Sequence, residues 1–139
     1  MASSIPRARR KEYTDAQAAK SLYVALFVNL TGYDALTATT YAALAATATE
    51  VSPSGTGYTT GGYALTGLTS SNVGSTNVAI LTASATSVTA GTFTARYGVI
   101  YDHTTGKIEG VSDFLADKTV TGGTMSITWD MINGLENVA

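Results

Sequence analysis

One histidine and no cysteine limit the chemistry open to this chain of 139 residues. His103 lies between Asp102 and Thr104 in a predicted hairpin turn, where it would be exposed to solvent. A Ser-His-Asp triad needs its three groups held together by the fold, and an abundance of serine and aspartate does not supply that geometry. A zinc site would need further histidine or cysteine ligands. We therefore expect no catalytic residue and no metal ligand at His103.

Two pairs of acidic residues have spacings that invite comparison with glycosidase or calcium sites. Asp113 and Asp117 flank a three-residue apolar segment, and Asp102 and Glu109 lie on opposite sides of the predicted turn. Glycosidases need two carboxylates facing each other across a cleft, and calcium loops carry a denser set of acids. Acids in the turns of a small β domain match neither arrangement. We expect these side chains to be solvated, with no metal, no cofactor and no enzymatic activity.

The glycine-rich segment 57–62 does not match a phosphate-binding loop. Such a loop needs Gly-Lys-Ser/Thr at the start of a helix that follows a strand, whereas residues 63–65 begin a predicted strand. The sequence therefore predicts a turn here and no nucleotide site.

Tyrosine is the most distinctive side chain, with eight copies against three phenylalanines and one tryptophan. Four tyrosines lie in or beside predicted strands: Tyr58, Tyr63, Tyr97 and Tyr101. Tyrosine packs its ring and hydrogen-bonds through its hydroxyl, so it suits both protein interfaces and the inward positions of a β-sandwich. The sequence leaves both roles open.

Charge is sparse and uneven along the chain. Charged residues make up 13% of the sequence and the net charge is −2. The candidate partner-binding residues lie in a flexible arm, residues 1–18, and are Arg7, Arg9, Arg10, Lys11 and Tyr13. We expect this arm to be extended or disordered in isolation, either as a frayed terminus or as a segment that becomes ordered along a partner, with a short helix near Thr14 as the local alternative. The rest of the chain is mildly acidic, which argues against nucleic acid or an anionic membrane as partner.

The remaining sequence, residues 19–139, predicts one β-sandwich domain, jelly-roll or immunoglobulin-like. Residues 22–28 form the most apolar strand, either a core strand or one with an interface on its second face. Residues 39–48 are the one good helical stretch, and about eight strands follow the usual spacing of a sandwich. Turns are predicted near 90–91, 103–107, 116–118 and 122–123. No segment has the length of a membrane span or the pattern of a signal peptide, so we expect a soluble chain made in the host cytoplasm.

Four segments of the second half carry a resemblance to a known group. They are GYTTGGYALT (57–66), FTARYGVIYD (93–102), TTGKIEGVSDF (104–114) and DKTVTGGTMSITWD (117–130). In this order they resemble small structural proteins of tailed bacteriophages, of the head decoration or cement type or of the neck or tail type. The resemblance covers about residues 57–138 and implies a virion component without enzymatic activity. It implies that the matched residues determine the fold: Gly57, Gly61 and Gly62 in a turn, Arg96 and Tyr97 in a strand, Asp113 and Phe114 at a strand end, and Met125 where an aromatic is commoner.

The expected function is that of a capsid decoration or cement protein that binds and stabilises the major capsid protein lattice. Its partners would be the major capsid protein or other virion proteins, with many copies on the lattice or a homo-oligomer. A neck, tail or fibre-attachment component is one alternative. A carbohydrate-binding module that uses Tyr58, Tyr63 or Trp129 as a sugar platform is another. Trp129 alternates with Ile127 and Met125, which predicts that it points into the core.

Overall fold

The computed structural model describes residues 7–30, 39–72 and 79–132. This part of the chain is all-β and sandwich-like, with six antiparallel strands and two short helices, so the predicted fold class is confirmed. In chain order the elements are helix α1 (Arg7–Ala18), strand β1 (Leu22–Asn29), helix α2 (Tyr41–Ala45), and strands β2 (Thr49–Glu50), β3 (Tyr63–Ala64), β4 (Thr69–Asn72), β5 (Ala79–Asp102) and β6 (Ile108–Ile132). They belong to two compact units, a larger one over 21–65 and 86–126 and a smaller one from 1–20, 66–85 and 127–139.

Strand β1 is the central strand of the larger unit. It pairs antiparallel with β5, in a register that runs from Leu22 opposite Asp102 to Phe27 opposite Tyr97. Alternate residues of a strand point to opposite faces, and the four residues Val24 to Phe27 are all fully buried. Both faces of β1 are therefore covered over residues 24–27, which places most of the predicted strand 22–28 in the core, whereas Val28 at its end is 40% exposed.

The core on one face of this sheet is closed by helix α2. Ala25, Phe27, Val99 and Tyr101 form a buried cluster with Leu44 of the helix. The hydroxyl of Thr40 caps the helix by accepting the Ala43 N–H at 3.2 Å. The helix is shorter than the predicted 39–48, since only residues 41–45 are helical, and Leu44 is its buried residue.

The second half of the chain has fewer turns than its glycines suggest. The turn at 103–107 is confirmed, with Gly106 at a φ of 75° and the Asp102 N–H donating to the Lys107 carbonyl at 2.8 Å. The predicted hairpin at 90–91 is wrong, because β5 continues through it. A Cβ at Gly91 would lie 2.6 Å from the Phe93 ring, so this glycine serves close packing. The predicted turns at 116–118 and 122–123, and the strand end predicted at Asp113-Phe114, lie inside β6.

Helix α1 corrects the expectation of an extended arm. Residues 7–18 are helical, and two charge pairs, Arg9 with Glu12 and Lys11 with Asp15, join successive turns. Within the smaller unit the buried Thr14 hydroxyl lies 2.5 Å from that of Ser70 on β4. The first six residues of the predicted arm lie outside the described residues. That this segment becomes ordered along a partner stays a prediction.

Candidate functional site

A buried tyrosine network occupies the outer edge of β1 in the larger unit. The Glu50 carboxylate accepts hydrogen bonds from the Tyr41 hydroxyl at 2.6 Å, the Tyr58 hydroxyl at 2.7 Å and the Gly61 N–H at 2.8 Å. The Tyr101 hydroxyl donates to the Gly61 carbonyl at 2.7 Å, and its ring stacks on Tyr41 with the centroids 4.5 Å apart. We call these five residues, Tyr41, Glu50, Tyr58, Gly61 and Tyr101, the Glu50 cluster.

The Glu50 cluster fills a gap between two short strands of the sheet. On the side away from β5, β1 pairs with β2 at Phe27 and with β3 at Tyr23 and Val24. Leu26 lies between these two short strands and has no strand partner on this side within the residues that the structure describes. There the Leu26 N–H donates to the Tyr58 hydroxyl at 2.9 Å, and the Leu26 carbonyl accepts the Val51 N–H at 2.9 Å. A side-chain hydroxyl therefore takes the place of a missing strand residue, as a buried N–H group requires.

Glycines allow the loop before β3 to reach this edge, as the sequence predicts for a turn. Gly57, Gly61 and Gly62 have φ values of 74°, 87° and 82°, which glycine adopts without strain. A Cβ at Gly62 would lie 1.8 Å from the Val24 carbonyl oxygen, so the loop backbone lies directly against β1. The glycines thus hold Tyr58 and Gly61 within reach of Glu50.

Electrostatics keeps the phenols of this cluster protonated. Burial and the hydrogen bond to Glu50 raise the pKa of Tyr58 and of Tyr41 far above the ordinary value of 10.0. Burial and the nearby Glu50 charge raise the pKa of Tyr101 as well. The Tyr41 and Tyr58 phenols are therefore fixed donors, and together with the Gly61 N–H they occupy the Glu50 carboxylate. This arrangement suits a structural brace.

The structure removes one of the three residues predicted as a sugar platform. Tyr58 is only 3% exposed, so it is not available as a sugar platform. The half-buried Tyr63 has its hydroxyl between the Gly57 carbonyl and the Thr59 N–H, at 3.1 and 3.2 Å. Trp129 lies in β6, and its side chain is outside the described residues. Met125 is buried, as a packing role requires.

Asp102 and His103 make their contacts within the predicted turn and with β1. The Asp102 carboxylate accepts the Thr104 N–H and the Thr105 hydroxyl, each at 3.0 Å. The exposed His103 ring stacks on Tyr23 at 4.1 Å between centroids, and the His103 N–H donates to the Ser21 carbonyl. In residues 7–30, 39–72 and 79–132 no group of three His, Asp or Glu side chains is placed to hold a metal ion.

One acid of the predicted pair on β6 is bound across the hairpin by β5. Asp113 accepts two hydrogen bonds from Arg96 of β5, at 2.6 and 3.3 Å, and the Arg96 guanidinium holds the pKa of that carboxyl below its usual value. Asp117 is exposed and contributes a more distant charge to Arg96. Asp113 is therefore held in an ion pair across the hairpin, whereas a glycosidase needs two carboxylates that face a cleft.

Strand β6 presents the clearest surface for a partner. Among the described strands it pairs only with β5, and its outer edge meets Thr39 and Thr40 at the start of the strand. The Ile108 N–H donates outward to the Thr39 carbonyl at 3.0 Å. Alternation along the ladder then directs the N–H groups of Gly110 and Ser112 to the same outer side. An edge of this kind can accept a strand from another chain.

The predicted partner-binding residues at the start of the chain lie together on α1. Arg9 and Lys11 are engaged by acids of their own helix, and Tyr13 is 45% exposed. Arg7 and Arg10 belong to the helix, with side chains outside the described residues. The structure thus brings these residues onto one element.

Sequence reasoning missed Glu50 and Leu115. Glu50 stands alone among small polar residues, and no spacing links it to the tyrosines that surround it. Leu115 lies in a segment that the sequence predicts to border a turn, yet it is 83% exposed on β6. No helix in the described part of the chain is long and apolar enough to cross a membrane. Comparison with protein-family models, curated proteins and solved structures finds no match to this chain.

Proposed function

We propose that this chain is a non-enzymatic structural protein of a bacteriophage particle, where it decorates the head and cements the major capsid protein lattice. Two things support this proposal. The first is the resemblance of residues 57–138 to small structural proteins of tailed phages. The second, which carries the argument, is the outer edge of β6, where backbone donors point away from the rest of the hairpin.

A strand edge suits attachment to a lattice of β-rich subunits. Backbone hydrogen bonds from an added strand supply affinity, and alternate side chains supply specificity. A decoration protein needs a moderate interface per copy, on the order of 1,000 Å², because many copies act on the same shell. The long β6, Ile108–Ile132, gives such an interface a continuous element to build on.

Composition agrees with a role among close neighbours. With 13% charged residues, the chain has little charge to keep molecules apart. Tyr58 and Tyr101, the most buried tyrosines, belong to the Glu50 cluster and are not available to a partner. The contacts with partners are therefore assigned to other elements, β6 and α1. On α1 the exposed Tyr13 would add an amphipathic contact of the kind that interfaces favour.

The test locates this chain on phage particles and compares two variants at one position of β6. Particles from the producing host are labelled with immunogold against this chain, in hosts that carry the wild type, Ser112→Pro or Ser112→Thr. Proline removes the outward N–H of residue 112, whereas the ladder to β5 uses the alternate residues, so the fold should persist. Threonine keeps the N–H and favours a strand.

Even label over the heads is expected for the wild type and Ser112→Thr, with loss of label for Ser112→Pro. Circular dichroism of the purified variants checks that both are folded. Label confined to one vertex or to the tail would replace the decoration role with a neck or tail role. Absence of wild-type label from all particles would overturn the virion proposal itself.

A further inference from the structure

One exposed apolar side chain on β6 is held in an unfavourable backbone conformation. Leu115 is 83% exposed and has a φ of 64°. It is the one non-glycine residue at positive φ among the described residues, where seven glycines take that conformation. A bulky residue in the left-handed region is an outlier, and such outliers cluster at functional sites.

The bulge that carries Leu115 is firmly built. The Leu115 N–H donates to the Asp113 carboxylate at 2.7 Å, and Arg96 holds the same carboxylate from β5. Further along the hairpin, the Thr94 hydroxyl bonds that of Thr119 at 2.8 Å. One residue of β5 and five residues of β6 lie between these two contacts, so the extra residues of β6 must bulge there.

The choice of residue runs against both stability and solubility. Glycine or asparagine would occupy this position with less backbone strain. An exposed leucine also presents apolar surface to water, and Leu115 is the most exposed of the large hydrophobic residues described. Leucine at the tip of a rigid bulge becomes favourable when another molecule buries it.

We propose that Leu115 inserts into an apolar pocket on another protein of the particle and is the main specificity contact of β6. This inference rests on the proposed function and extends it. A single leucine flanked by the charged Asp113, Asp117 and Lys118 fits a pocket the size of one side chain, whose rim stays hydrated. A lipid surface would need a broader apolar patch. The bulge is ordered before binding, so little conformational freedom is lost on docking.

The experiment measures binding and stability on the same variants. Particles assembled in a host that lacks the gene for this chain are titrated with purified wild type, Leu115→Asn, Leu115→Gly and Leu115→Met, and binding is read by co-sedimentation. Asparagine and glycine relieve the strain and remove the apolar side chain, whereas methionine keeps an apolar side chain of similar volume. Thermal unfolding of the free chains gives the melting temperatures.

Leu115→Asn and Leu115→Gly are expected to bind at least about tenfold more weakly, while Leu115→Met stays within about threefold of the wild type. The asparagine variant should melt about 3–5 °C higher, because strain is relieved. Wild-type affinity in Leu115→Asn would overturn this inference and leave the proposed function standing. A wild type that self-associates through Leu115 would also overturn it, since the occupant would then be a second copy. Failure of the wild type to bind would instead refute the proposed function.

Discussion

Replacement of Tyr58 by phenylalanine tests whether the Glu50 cluster holds the sheet together. The Tyr58 hydroxyl is the acceptor for the Leu26 N–H at 2.9 Å and the donor to Glu50 at 2.7 Å. Phenylalanine keeps the ring and its packing against Phe93, and it removes both hydrogen bonds at once. The change therefore isolates the hydroxyl.

The expected cost follows from the two groups that lose their partner. A hydrogen bond to a carboxylate contributes about 1.5–3 kcal/mol, and a buried N–H left without an acceptor costs about 1–3 kcal/mol. Leu26 is fully buried, so water does not easily replace the acceptor. Glu50 keeps its bonds to Tyr41 and Gly61, which limits its own loss. We expect Tyr58→Phe to lower the free energy of unfolding by about 3–4 kcal/mol, a large share of the usual 5–15 kcal/mol.

Urea unfolding followed by circular dichroism measures this loss directly. Tyr63→Phe is the matched control, because Tyr63 lies edge-on to Tyr58 and its hydroxyl makes two bonds at the exposed side of the loop. We expect the control to lose less than about 1 kcal/mol. Equal losses in the two variants, or a loss below about 0.5 kcal/mol in Tyr58→Phe, would refute the idea that the hydroxyl replaces a strand residue.

Two further predictions concern the same loop and cluster. Gly62→Ala should lower the free energy of unfolding by more than about 3 kcal/mol in urea, since the new Cβ would meet the Val24 carbonyl. Gly55→Ala is the control, because its Cβ would lie in open space, and it should cost only about 1 kcal/mol. Similar losses in the two variants would contradict the close approach of the loop to β1. Because the pKa values of Tyr58 and Tyr41 are raised in the folded chain, these tyrosines lose their protons first in the unfolded chain. The free energy of unfolding should therefore fall as the pH rises above 10.0, the ordinary pKa of tyrosine. Urea unfolding at successive pH values checks this, and a free energy that does not change with pH would contradict it.

The parts of the fold that the sequence predicts are those with a strong local pattern. The apolar run of β1 predicts a strand with either a second core face or an interface, and the structure, by burying Val24 to Phe27, assigns them to the core. The turn before Lys107 and the loop around Gly61 need positive φ, which the glycines signal. In each case the local preference and the tertiary structure agree.

The failures occur where one residue type has two structural uses. Gly91 was predicted to turn the chain, but it gives the Phe93 ring room inside a continuous strand. The charges near the start of the chain favour an arm by composition, yet the Lys11 and Asp15 spacing of four residues also favours a helix. Composition alone does not separate these uses, because distant residues also contribute: the Thr56 carbonyl lies against Gly91, and the Ser70 hydroxyl bonds that of Thr14.

The candidate site was the least predictable part for the same reason. Glu50 meets Tyr58, Gly61 and Tyr41 through contacts 8 to 11 residues apart in sequence, and Tyr101 joins from β5, with Gly61 40 residues away. No periodic pattern encodes such a cluster, since its members come from helix α2, strand β2, the loop before β3 and strand β5.

The placement of the tyrosines changes which residues the functional argument depends on. The sequence left open whether tyrosines such as Tyr58 and Tyr101 form the core or an interface, and their bonds to Glu50 and Gly61 assign them to the core. A core built this way fixes β1 and, through its pairing, β5. The β5–β6 hairpin can then hold Leu115 at a defined position in spite of its strained backbone. Strain at a binding residue persists only when the surrounding structure overdetermines it, so the buried network and the exposed leucine are parts of one physical argument.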